Sequence, residues 1–357
     1  MKRFIISELP PSKDIETKKV LRQTAQSHRY LAELKGISKT IPNQSILINT
    51  LPLLEAKDSS AIENIITTHD ELYKEDLFGD FINNANAKEV RDYSQALKAG
   101  FEKIKKRGCL TNNQIIEIQS HIEKNNAGFR KLSGTELKNQ QTGETVYTPP
   151  QTHDDIIRLM SNLERYINDD NICPIDHLIK MAVIHYQFES IHPFYDGNGR
   201  TGRIINVLYL VLKGLLDIPV LYLSRYIIQT KSQYYNLLQD VRENENWEDW
   251  IIYLLQGVEK TAIETITIIT KIRELMQDYK ICIRKQYKFY SQDLLNNLFC
   301  HPYTKIEFIE RDLRVSRQTA SKYLEELAAG GFLKKEKMGN YNFYINQPLF
   351  NIFLKKG

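Results

Sequence analysis

The chain has 357 residues, of which 42% are hydrophobic and 26% charged, with 48 Lys and Arg against 44 Asp and Glu. This composition excludes a disordered or collagen-like chain, and the length predicts two or three domains of about 100–200 residues each. The net charge of +4 is too small for a protein that binds nucleic acid along its whole length. The four cysteines form no C-x-x-C pair, so we expect reduced, buried thiols rather than a disulfide framework or a zinc site.

The N-terminal segment and the hydropathy of the chain predict a cytoplasmic protein with no membrane partner. Only three apolar residues follow Lys2 and Arg3 before polar residues return, which does not fit a signal peptide. The most apolar stretch, residues 204–216, is interrupted by Asn206 and Lys213. It is therefore too polar for a membrane-spanning helix, which needs about 18 or more consecutive apolar residues.

The first half of the chain is predicted to be mainly helical. Glycine and proline are scarce, and apolar residues recur at three- and four-residue spacing, which is typical of helices that bury one face. The predicted helices cover about 13–34, 45–56, a stretch that begins at Ser59, and two stretches within 87–127 that are separated at Gly108. Residues 128–150 break this pattern, and Thr142-Gly143 between short β-compatible runs predicts a hairpin.

The second half is predicted to contain further helices from about Asp154 to Tyr290. Isoleucines at helical spacing over residues 258–283 predict one long helix, which would join two domains. His185 lies seven residues before His192, a spacing that does not fit a pair of metal ligands on one helix face. We therefore expect His185 to be a core histidine with its polar atoms satisfied.

The C-terminal residues predict a winged helix-turn-helix domain. Residues 302–357 carry ten Lys and Arg against six Asp and Glu. A helix over 305–312, a second helix from Ser316 to Leu327, and strands at 332–335 and 341–345 follow in the order of that fold. The residues placed to contact DNA are Arg317, Gln318, Ser321 and Lys322, with Lys334, Lys335 and Lys337 on the wing. Winged helices also serve as protein docking or dimer modules, and that alternative stays open.

The segment that carries chemistry lies between two of the predicted helices, at residues 191–203. Three glycines around Asn198, namely Gly197, Gly199 and Gly202, allow successive backbone N–H groups to converge on an anion at the start of the next helix. Arg200 and Arg203 are three residues apart, so both guanidinium groups lie on one helix face. Backbone and side chains together predict a binding site for a polyphosphate.

Two further side chains in this segment predict chemistry on that polyphosphate. Asp196 is a hard oxygen ligand next to the glycines, where a Mg²⁺ ion that bridges two phosphates would lie. His192 changes protonation near neutral pH, so it can take the proton from a hydroxyl that attacks phosphorus. The segment therefore predicts a general base beside a metal-bound phosphate.

The glycines and arginines of this segment also have to be compared with other phosphate-binding motifs. The run Gly197-x-Gly199-x-x-Gly202 also matches a dinucleotide fingerprint, but no strand precedes it. A P-loop requires Gly-Lys-Ser/Thr where this chain has Gly202-Arg203. Asp-Gly-Asn-Gly by itself is equally good surface-turn sequence, but the added His192 and the two arginines favour a phosphate site.

Residues His192 to Arg203 match the signature H-P-F-x-(D/E)-G-N-G-R-x-x-R of the Fic family at every fixed position. The chain resembles this family from about Ser45 to Val258. The resemblance implies a mainly α fold, a Fic-type helical bundle with a β-hairpin flap at about 136–148, here followed by the small winged-helix domain. It also implies an adenylyltransferase that moves AMP from ATP, with Mg²⁺, to a Tyr, Thr or Ser hydroxyl of a target protein and releases pyrophosphate.

The resemblance assigns roles to individual residues. His192 is implied as the general base and Asp196 as the Mg²⁺ ligand, with Phe194 anchoring the loop in the core. The implied nucleotide-binding residues are Gly197, Asn198, Gly199, Arg200, Thr201, Gly202 and Arg203 at the phosphates, with Tyr234 and Tyr235 near the nucleoside. Paired tyrosines on an amphipathic helix are as often part of the core, and that alternative stays open. The flap is implied to hold the target segment by edge pairing.

Residues Ser59 to Asn64 fit the inhibitory pattern (S/T)-x-x-x-E-(G/N) of the family, which implies an inhibitory helix at about 59–66. The implied inhibitory residues are Ser59, Glu63 and Asn64. A Glu63 carboxylate paired with Arg203 would occupy the guanidinium that the γ-phosphate needs. Ser60-x-x-Glu63 is also a capping box, which is the structural alternative. In some relatives the glutamate also positions a water that removes AMP, so de-adenylylation stays open.

The predicted domains are an N-terminal helical region over 1–90, a catalytic core over 91–257, a connecting helix over 258–290 and the winged-helix domain over 291–357. The rival function is a nucleotide-sensing DNA-binding regulator that binds ATP without transferring it. A third hypothesis keeps the fold but transfers another nucleotide or phosphate-linked group. The sequence leaves a homodimer open.

Overall fold

The computed structural model describes residues 6–78, 84–138, 142–338 and 341–354, and it is mainly helical, as predicted. The helices are α1 Lys18–Ser38, α2 Ser45–Ile62, α3 His69–Phe78, α4 Ala85–Arg107, α5 Asn112–Glu123, α6 His153–Asn168, α7 His177–Ile191, α8 Asn198–Leu212, α9 Ser224–Gln229, α10 Lys231–Asn244, α11 Trp247–Gln286, α12 Gln292–Cys300, α13 Ile306–Leu313, α14 Arg317–Ala329 and α15 Gln347–Leu354. The strands are β1 Leu137–Lys138, β2 Thr145–Tyr147, β3 Tyr303–Thr304, β4 Lys334–Met338 and β5 Tyr341–Ile345.

Helices α7 and α8 form the centre of the core. Both are apolar on nearly every face, so they are stable only where other elements surround them. Helices α2, α4 and α5 pack around α8, and α11 packs along α1 and against α7. Trp250 of α11 is fully buried and donates a hydrogen bond from its indole nitrogen to the Ala182 carbonyl of α7, at 2.9 Å. The loop between α7 and α8 is therefore held on a rigid base.

The N-terminal helices differ from the prediction in their bounds. The first helix begins at Lys18, because the Thr17 hydroxyl accepts the Val20 N–H as an N-cap, and it continues past Gly36 to Ser38. The second continues to Ile62, so the helix predicted to begin at Ser59 and to cover about 59–66 is wrong. The next helix begins only at His69.

Backbone geometry explains where α2 ends. Asn64 has a left-handed conformation with φ 65°, and the Ile65 N–H returns to the Ser60 carbonyl at 3.0 Å. This hydrogen bond and the left-handed Asn64 close the last turn in the manner of a Schellman motif. Ser60 lies inside the last turn of the helix rather than at a helix start, and its hydroxyl has no hydrogen-bond partner in the described part of the chain. The capping-box alternative is therefore wrong.

The predicted break at Gly108 and the predicted hairpin are both confirmed. Gly108 ends α4 with φ 67°, a conformation that suits glycine. Strands β1 and β2 pair antiparallel, with Leu137 opposite Tyr147. Residues 139–141 of the predicted flap lie outside the described residues.

The winged helix-turn-helix prediction is confirmed as well. Ser316 caps α14 by accepting the Thr319 N–H, and strands β4 and β5 after this helix form a sheet with β3, which precedes α13, in the spatial order β3, β5, β4. The long helix α11 begins at Trp247, earlier than the predicted residue 258, because the apolar stripe continues back through Trp250. The predicted boundary between 257 and 258 therefore falls inside a helix.

The C-terminal domain packs on the N-terminal helices that follow the predicted inhibitory motif. The Tyr303 hydroxyl donates to Asp70 of α3 at 2.5 Å, and the Tyr303 ring stacks on Tyr73 at 5.7 Å between centroids. The Tyr73 ring also meets the edge of Phe350 at 5.8 Å. The winged-helix domain thus contacts α3, five residues beyond the end of the motif at Asn64.

The cysteines and the hydropathy of the helices agree with most of the predictions. All four cysteines are free, as expected, but none is fully buried: Cys109, Cys173 and Cys300 are half-buried, and Cys282 is exposed on the outer face of α11. His185 is fully buried, as predicted for a core histidine, and burial lowers its pKa to about 3. The expectation of satisfied polar atoms holds only for Nε2, because Nδ1 has no hydrogen-bond partner among the described residues. Over the residues that the structure describes, every helix is too short or too polar to cross a membrane.

Candidate active site

The loop from His192 to Gly197 is closed by the side chain of Asn198. Its amide oxygen accepts the Phe194 N–H and its amide nitrogen donates to the Phe194 carbonyl, both at 2.8 Å. Phe194 is fully buried, with its ring 5.3 Å from that of Phe129. Gly197, with φ 78°, then starts α8. The Asn198 side chain is therefore used to shape the loop, and only its backbone N–H can face a ligand.

Asn198→Ala is expected to lower the free energy of unfolding by about 2–3 kcal/mol, because both Phe194 backbone groups lose their buried partner. Urea denaturation measures this change, with the exposed Asn236→Ala on α10 as the matched control, for which we expect less than about 0.5 kcal/mol. An unchanged denaturation midpoint for Asn198→Ala would show that the two hydrogen bonds do not hold the loop.

Carboxylate oxygens surround the predicted anion nest at the start of α8. The first N–H groups of a helix have no acceptor within it, and they attract negative charge. The Gly197 N–H donates to the Asp196 carboxylate at 2.7 Å. A Cβ added at Gly199 would lie 2.5 Å from Glu63 Oε1, and one at Gly197 would lie 2.6 Å from Glu123 Oε1. Both glycines thus allow an anionic group to approach the helix start closely.

Glu63 and Arg203 form the ion pair that the inhibitory motif implies. An Arg203 Nη donates to Glu63 Oε1 at 2.8 Å and to the Ser59 carbonyl at 3.0 Å, and Nε donates to the Ser59 hydroxyl at 2.7 Å. Burial opposes the charge on Glu63, but Arg203 and the nearby Arg200 hold the pKa of its carboxyl below the ordinary value. Asn64 completes the turn, and Lys231 Nζ lies 3.5 Å from its side-chain oxygen.

Arg200 is held by two acidic side chains that the sequence did not single out. Its guanidinium contacts Glu89 of α4 and donates to Glu123 of α5 at 2.5 Å, and Arg200 itself is buried. The Asp196 carboxylate is farther away, at 3.9 Å. No motif marks Glu89 or Glu123, since single glutamates on helix surfaces are common. Arg200 can bind a phosphate only by exchanging these partners.

His192 ends α7 in a left-handed conformation with φ 48°, and its Nδ1 is buried with no hydrogen-bond partner among the described residues. Burial, followed by the positive charges of Arg130 and Arg242, lowers the pKa of His192 to about 4. The imidazole is therefore neutral at pH 7 and able to accept a proton.

Arg130, which the sequence analysis missed, fixes the backbone of the catalytic loop. It is fully buried, and its Nε donates to the His192 carbonyl at 2.9 Å. Its own N–H donates to the Pro193 carbonyl at 2.8 Å, and an Nη contacts the Pro150 carbonyl at the end of the flap. A single arginine in a polar loop gives no sequence signal, because only the fold brings these carbonyls together.

Asp196 presents one exposed carboxylate beside the nest. Its side chain is 78% exposed, and in the described part of the chain no group of three His, Cys, Asp or Glu side chains could enclose a metal ion. A single carboxylate suits Mg²⁺, which keeps several waters and takes its other ligands from substrate phosphates. The residues present therefore fit Mg²⁺ carried by a nucleotide, and they do not form a self-contained metal site.

The remaining predicted nucleotide-binding residues lie deeper than expected. Tyr234 is 1% exposed, with its hydroxyl 2.9 Å from His185 Nε2, which is the core position that the sequence left open. Tyr235 is 45% exposed, so it alone of the pair can meet a nucleoside. Thr201 is fully buried, and a Cβ added at Gly202 would lie 2.6 Å from Glu189 Oε1 of α7. Gly202 thus faces α7 rather than the loop.

The flap is anchored next to the catalytic loop. Tyr147 of β2 is buried, and its hydroxyl donates to the Ser190 carbonyl of α7 at 2.8 Å. The Arg242 guanidinium lies 4.0 Å from the centroid of the Tyr147 ring. Val146, on the opposite face, is 39% exposed. One face of the flap is therefore fixed to the core beside His192, and the other faces solvent.

Comparison with known proteins gives three family models that follow one another along the chain. Residues 21–102 match the Fic/DOC family N-terminal model, residues 109–210 match the Fic/DOC family model, and residues 275–349 match the C-terminal domain of SoFic-like protein adenylyltransferases.

The chain is 27% identical over 152 residues to the protein adenylyltransferase Fic of Drosophila erecta, covering 43% of this chain and 28% of the relative. The corresponding protein of Drosophila melanogaster is 28% identical over 152 residues, with 43% and 29% covered. The chain thus spans less than a third of the length of these relatives.

Solved structures share the fold. A Fic family protein from Desulfovibrio desulfuricans G20 superposes with a TM-score of 0.60 at 18% identity, covering 94% of this chain and 98% of that one. Fic-1 from C. elegans superposes with a TM-score of 0.55 at 19% identity, covering 70% and 74%. Together, the three family matches and the complete motif from His192 to Arg203 show that the chain belongs to the Fic/DOC family.

Proposed function

We propose that this protein is an autoinhibited adenylyltransferase, which transfers AMP from ATP to a hydroxyl side chain of a target protein. The observation that carries the proposal is the arrangement around the start of α8, where a neutral imidazole, two clustered arginines and a glycine-lined helix start share one surface. The names of the curated relatives and of the C-terminal family model support the same chemistry.

In this proposal, His192 takes the proton of the target hydroxyl as the oxygen attacks the α-phosphorus of ATP. A new bond forms between that oxygen and phosphorus, the bond to the bridging oxygen before the β-phosphate breaks, and pyrophosphate leaves. The first N–H groups of α8 stabilise the phosphate charge. Mg²⁺ held with the help of Asp196 supplies further charge neutralisation when it is bound. Arg203 positions the γ-phosphate, and Tyr235 lies near the nucleoside.

Autoinhibition follows from the contact between Glu63 and Arg203. The carboxylate occupies the guanidinium fork and lies directly over Gly199, so the γ-phosphate meets both a filled site and a negative charge. ATP would then bind with its α-phosphate out of line for attack, which slows transfer without changing the reacting groups.

For the partners, we propose that the target segment docks along the solvent side of the flap. The cations of the winged helix that were predicted to contact DNA give little support to DNA binding, because several of them pair with acidic neighbours. Among these residues, the shortest ion pairs are Arg317 with Glu307 at 3.1 Å, Lys334 with Glu336 at 2.6 Å and Lys335 with Glu325 at 2.5 Å. DNA binding, a homodimer, de-adenylylation by Glu63 and a cytoplasmic location stay predictions from the sequence.

The test of the proposed function is the origin of the transferred group. We expect the Glu63→Gly protein, with Mg²⁺, to label protein from ATP that carries ³²P in the α position and not from ATP that carries it in the γ position. Unlabelled ATP should suppress the labelling more strongly than GTP, CTP or UTP, and EDTA should abolish it. Labelling from γ-³²P would instead indicate phosphoryl transfer, and stronger competition by another nucleotide would indicate a different nucleotidyl donor.

A further inference from the structure

Every hydrogen bond of the Arg203 side chain in the described part of the chain goes to the C-terminal end of α2. The acceptors are the hydroxyl and carbonyl of Ser59 and the carboxylate of Glu63. Arg203 is only 2% exposed. If this end of the helix withdraws to admit ATP, a buried guanidinium loses its acceptors at once, and an unpaired buried charge is strongly unfavourable. Another group must therefore hold Arg203 in the released protein.

Glu189 is placed for this role. It lies on α7, three residues before His192, and its Oε1 is buried with no hydrogen-bond partner among the described residues. That oxygen would be 2.6 Å from a Cβ at Gly202, the residue directly before Arg203. A side chain at position 202 would displace the Glu189 carboxyl and press against the Phe188 ring. Glycine there lets the carboxyl reach the first turns of α8.

The charges around Glu189 come from several elements. The charges of Arg203 on α8, Glu63 at the end of α2 and Arg242 on α10 act on Glu189. The charge of Glu189 in turn raises the pKa values of Tyr234 and Tyr235 on α10. Burial raises the pKa of Glu189 to about 7, with Arg203 lowering it and Glu63 raising it. The charge of one guanidinium thus acts on two carboxyl groups, and in the resting protein Glu63 is the one that is hydrogen-bonded to it.

We propose that Glu189 is a positioning residue for Arg203, which takes over the guanidinium when Glu63 withdraws and gives it up when the γ-phosphate arrives. The proposal rests on the proposed function, since it concerns the same ATP site. It explains why a carboxyl oxygen without a partner is buried against α8. It also implies a proton balance, because Glu189 ionises when it pairs with Arg203 and takes the proton back when a phosphate replaces it.

This balance makes nucleotide affinity depend on pH. In the Glu63→Gly protein, Glu189 is the remaining carboxyl that competes with the γ-phosphate, and it competes only when ionised. The loss of Glu63 lowers the pKa of Glu189 in this variant. Above that pKa, nucleotide binding must take up a proton, and affinity falls by up to about tenfold for each pH unit. With Glu189→Gln added, the competing charge is absent at every pH.

The experiment compares Glu63→Gly with Glu63→Gly/Glu189→Gln by calorimetry, with Mg²⁺ and the α,β-methylene analogue of ATP, which cannot transfer AMP. We expect about tenfold tighter binding by the double variant at pH 8.5 and a difference that shrinks as the pH falls and Glu189 becomes protonated. Glu63→Gly/Glu33→Gln, altered at an exposed position on α1, is the control and should follow Glu63→Gly. Parallel pH profiles for the double variant and Glu63→Gly would overturn the role of Glu189.

A second measurement does not require the Glu189 variant to fold. Calorimetry of Glu63→Gly alone at pH 8, in buffers of different ionisation enthalpy, should show uptake of close to one proton for each analogue bound. No uptake would contradict the proposal. Failure of the proposed function has a different signature, because the Glu63→Gly protein would then show no labelling from α-³²P-ATP, whatever its affinity for the analogue.

Discussion

Adding His192→Ala to the Glu63→Gly protein is expected to lower the rate of AMP transfer by about 10²–10⁴-fold, the usual contribution of a general base. The imidazole is the group at the start of α8 that is neutral at pH 7 and has an unpartnered nitrogen. Alanine removes this proton acceptor without adding charge. The initial rate of self-labelling from α-³²P-ATP measures the effect.

The loss must be separated from a loss of binding or of folding. The His192→Ala variant should bind the α,β-methylene analogue with a dissociation constant within about threefold of that of Glu63→Gly, since His192 contributes no cation to the phosphate site. His121→Ala, at a half-buried histidine on α5, should leave the rate unchanged. Equal labelling with and without His192 would rule it out as the base.

Glu63→Gly by itself is expected to raise the rate of AMP transfer by about 10- to 100-fold. A hydrogen bond to a charged group contributes about 1.5–3 kcal/mol, and this energy favours the inhibited arrangement of Arg203. Removing the carboxylate frees the guanidinium and clears the space over Gly199. Side-by-side labelling rates of the unaltered and variant proteins measure the change.

The charge of Glu63 is what matters in this prediction, so Glu63→Gln should give an intermediate rate, because an amide fills the same space and binds the guanidinium more weakly. The inhibitory pair is expected to persist across neutral pH. The pKa of Glu63 lies below its ordinary value, so the pair is complete above about pH 5 and is lost only as acid protonates the carboxyl. A Glu63→Gly protein that binds the analogue but transfers AMP no faster than the unaltered chain would contradict autoinhibition.

The sequence by itself determined the conformation of the loop from His192 to Gly197 and the order of the elements. Local rules suffice for both, since Gly197 before a helix start, Gly108 at a helix end and Ser316 as an N-cap act through residues within one or two turns. The hairpin and the winged helix follow from the same local signals. The signature from His192 to Arg203 also identified the family from local sequence. Its residues all lie within one turn and the helix start that follows.

Only the tertiary structure decided which charges meet. Local sequence placed Ser59 at a helix start, whereas packing makes it the end of α2, where it and Glu63 reach an arginine 140 residues farther along the chain. The partners of Arg200 and the approach of Glu189 to α8 were equally hidden. Such contacts depend on how helices α2, α4, α5 and α7 pack around α8. Helical spacing tells which face a side chain lies on, but it contains nothing about the face of another helix that will lie opposite.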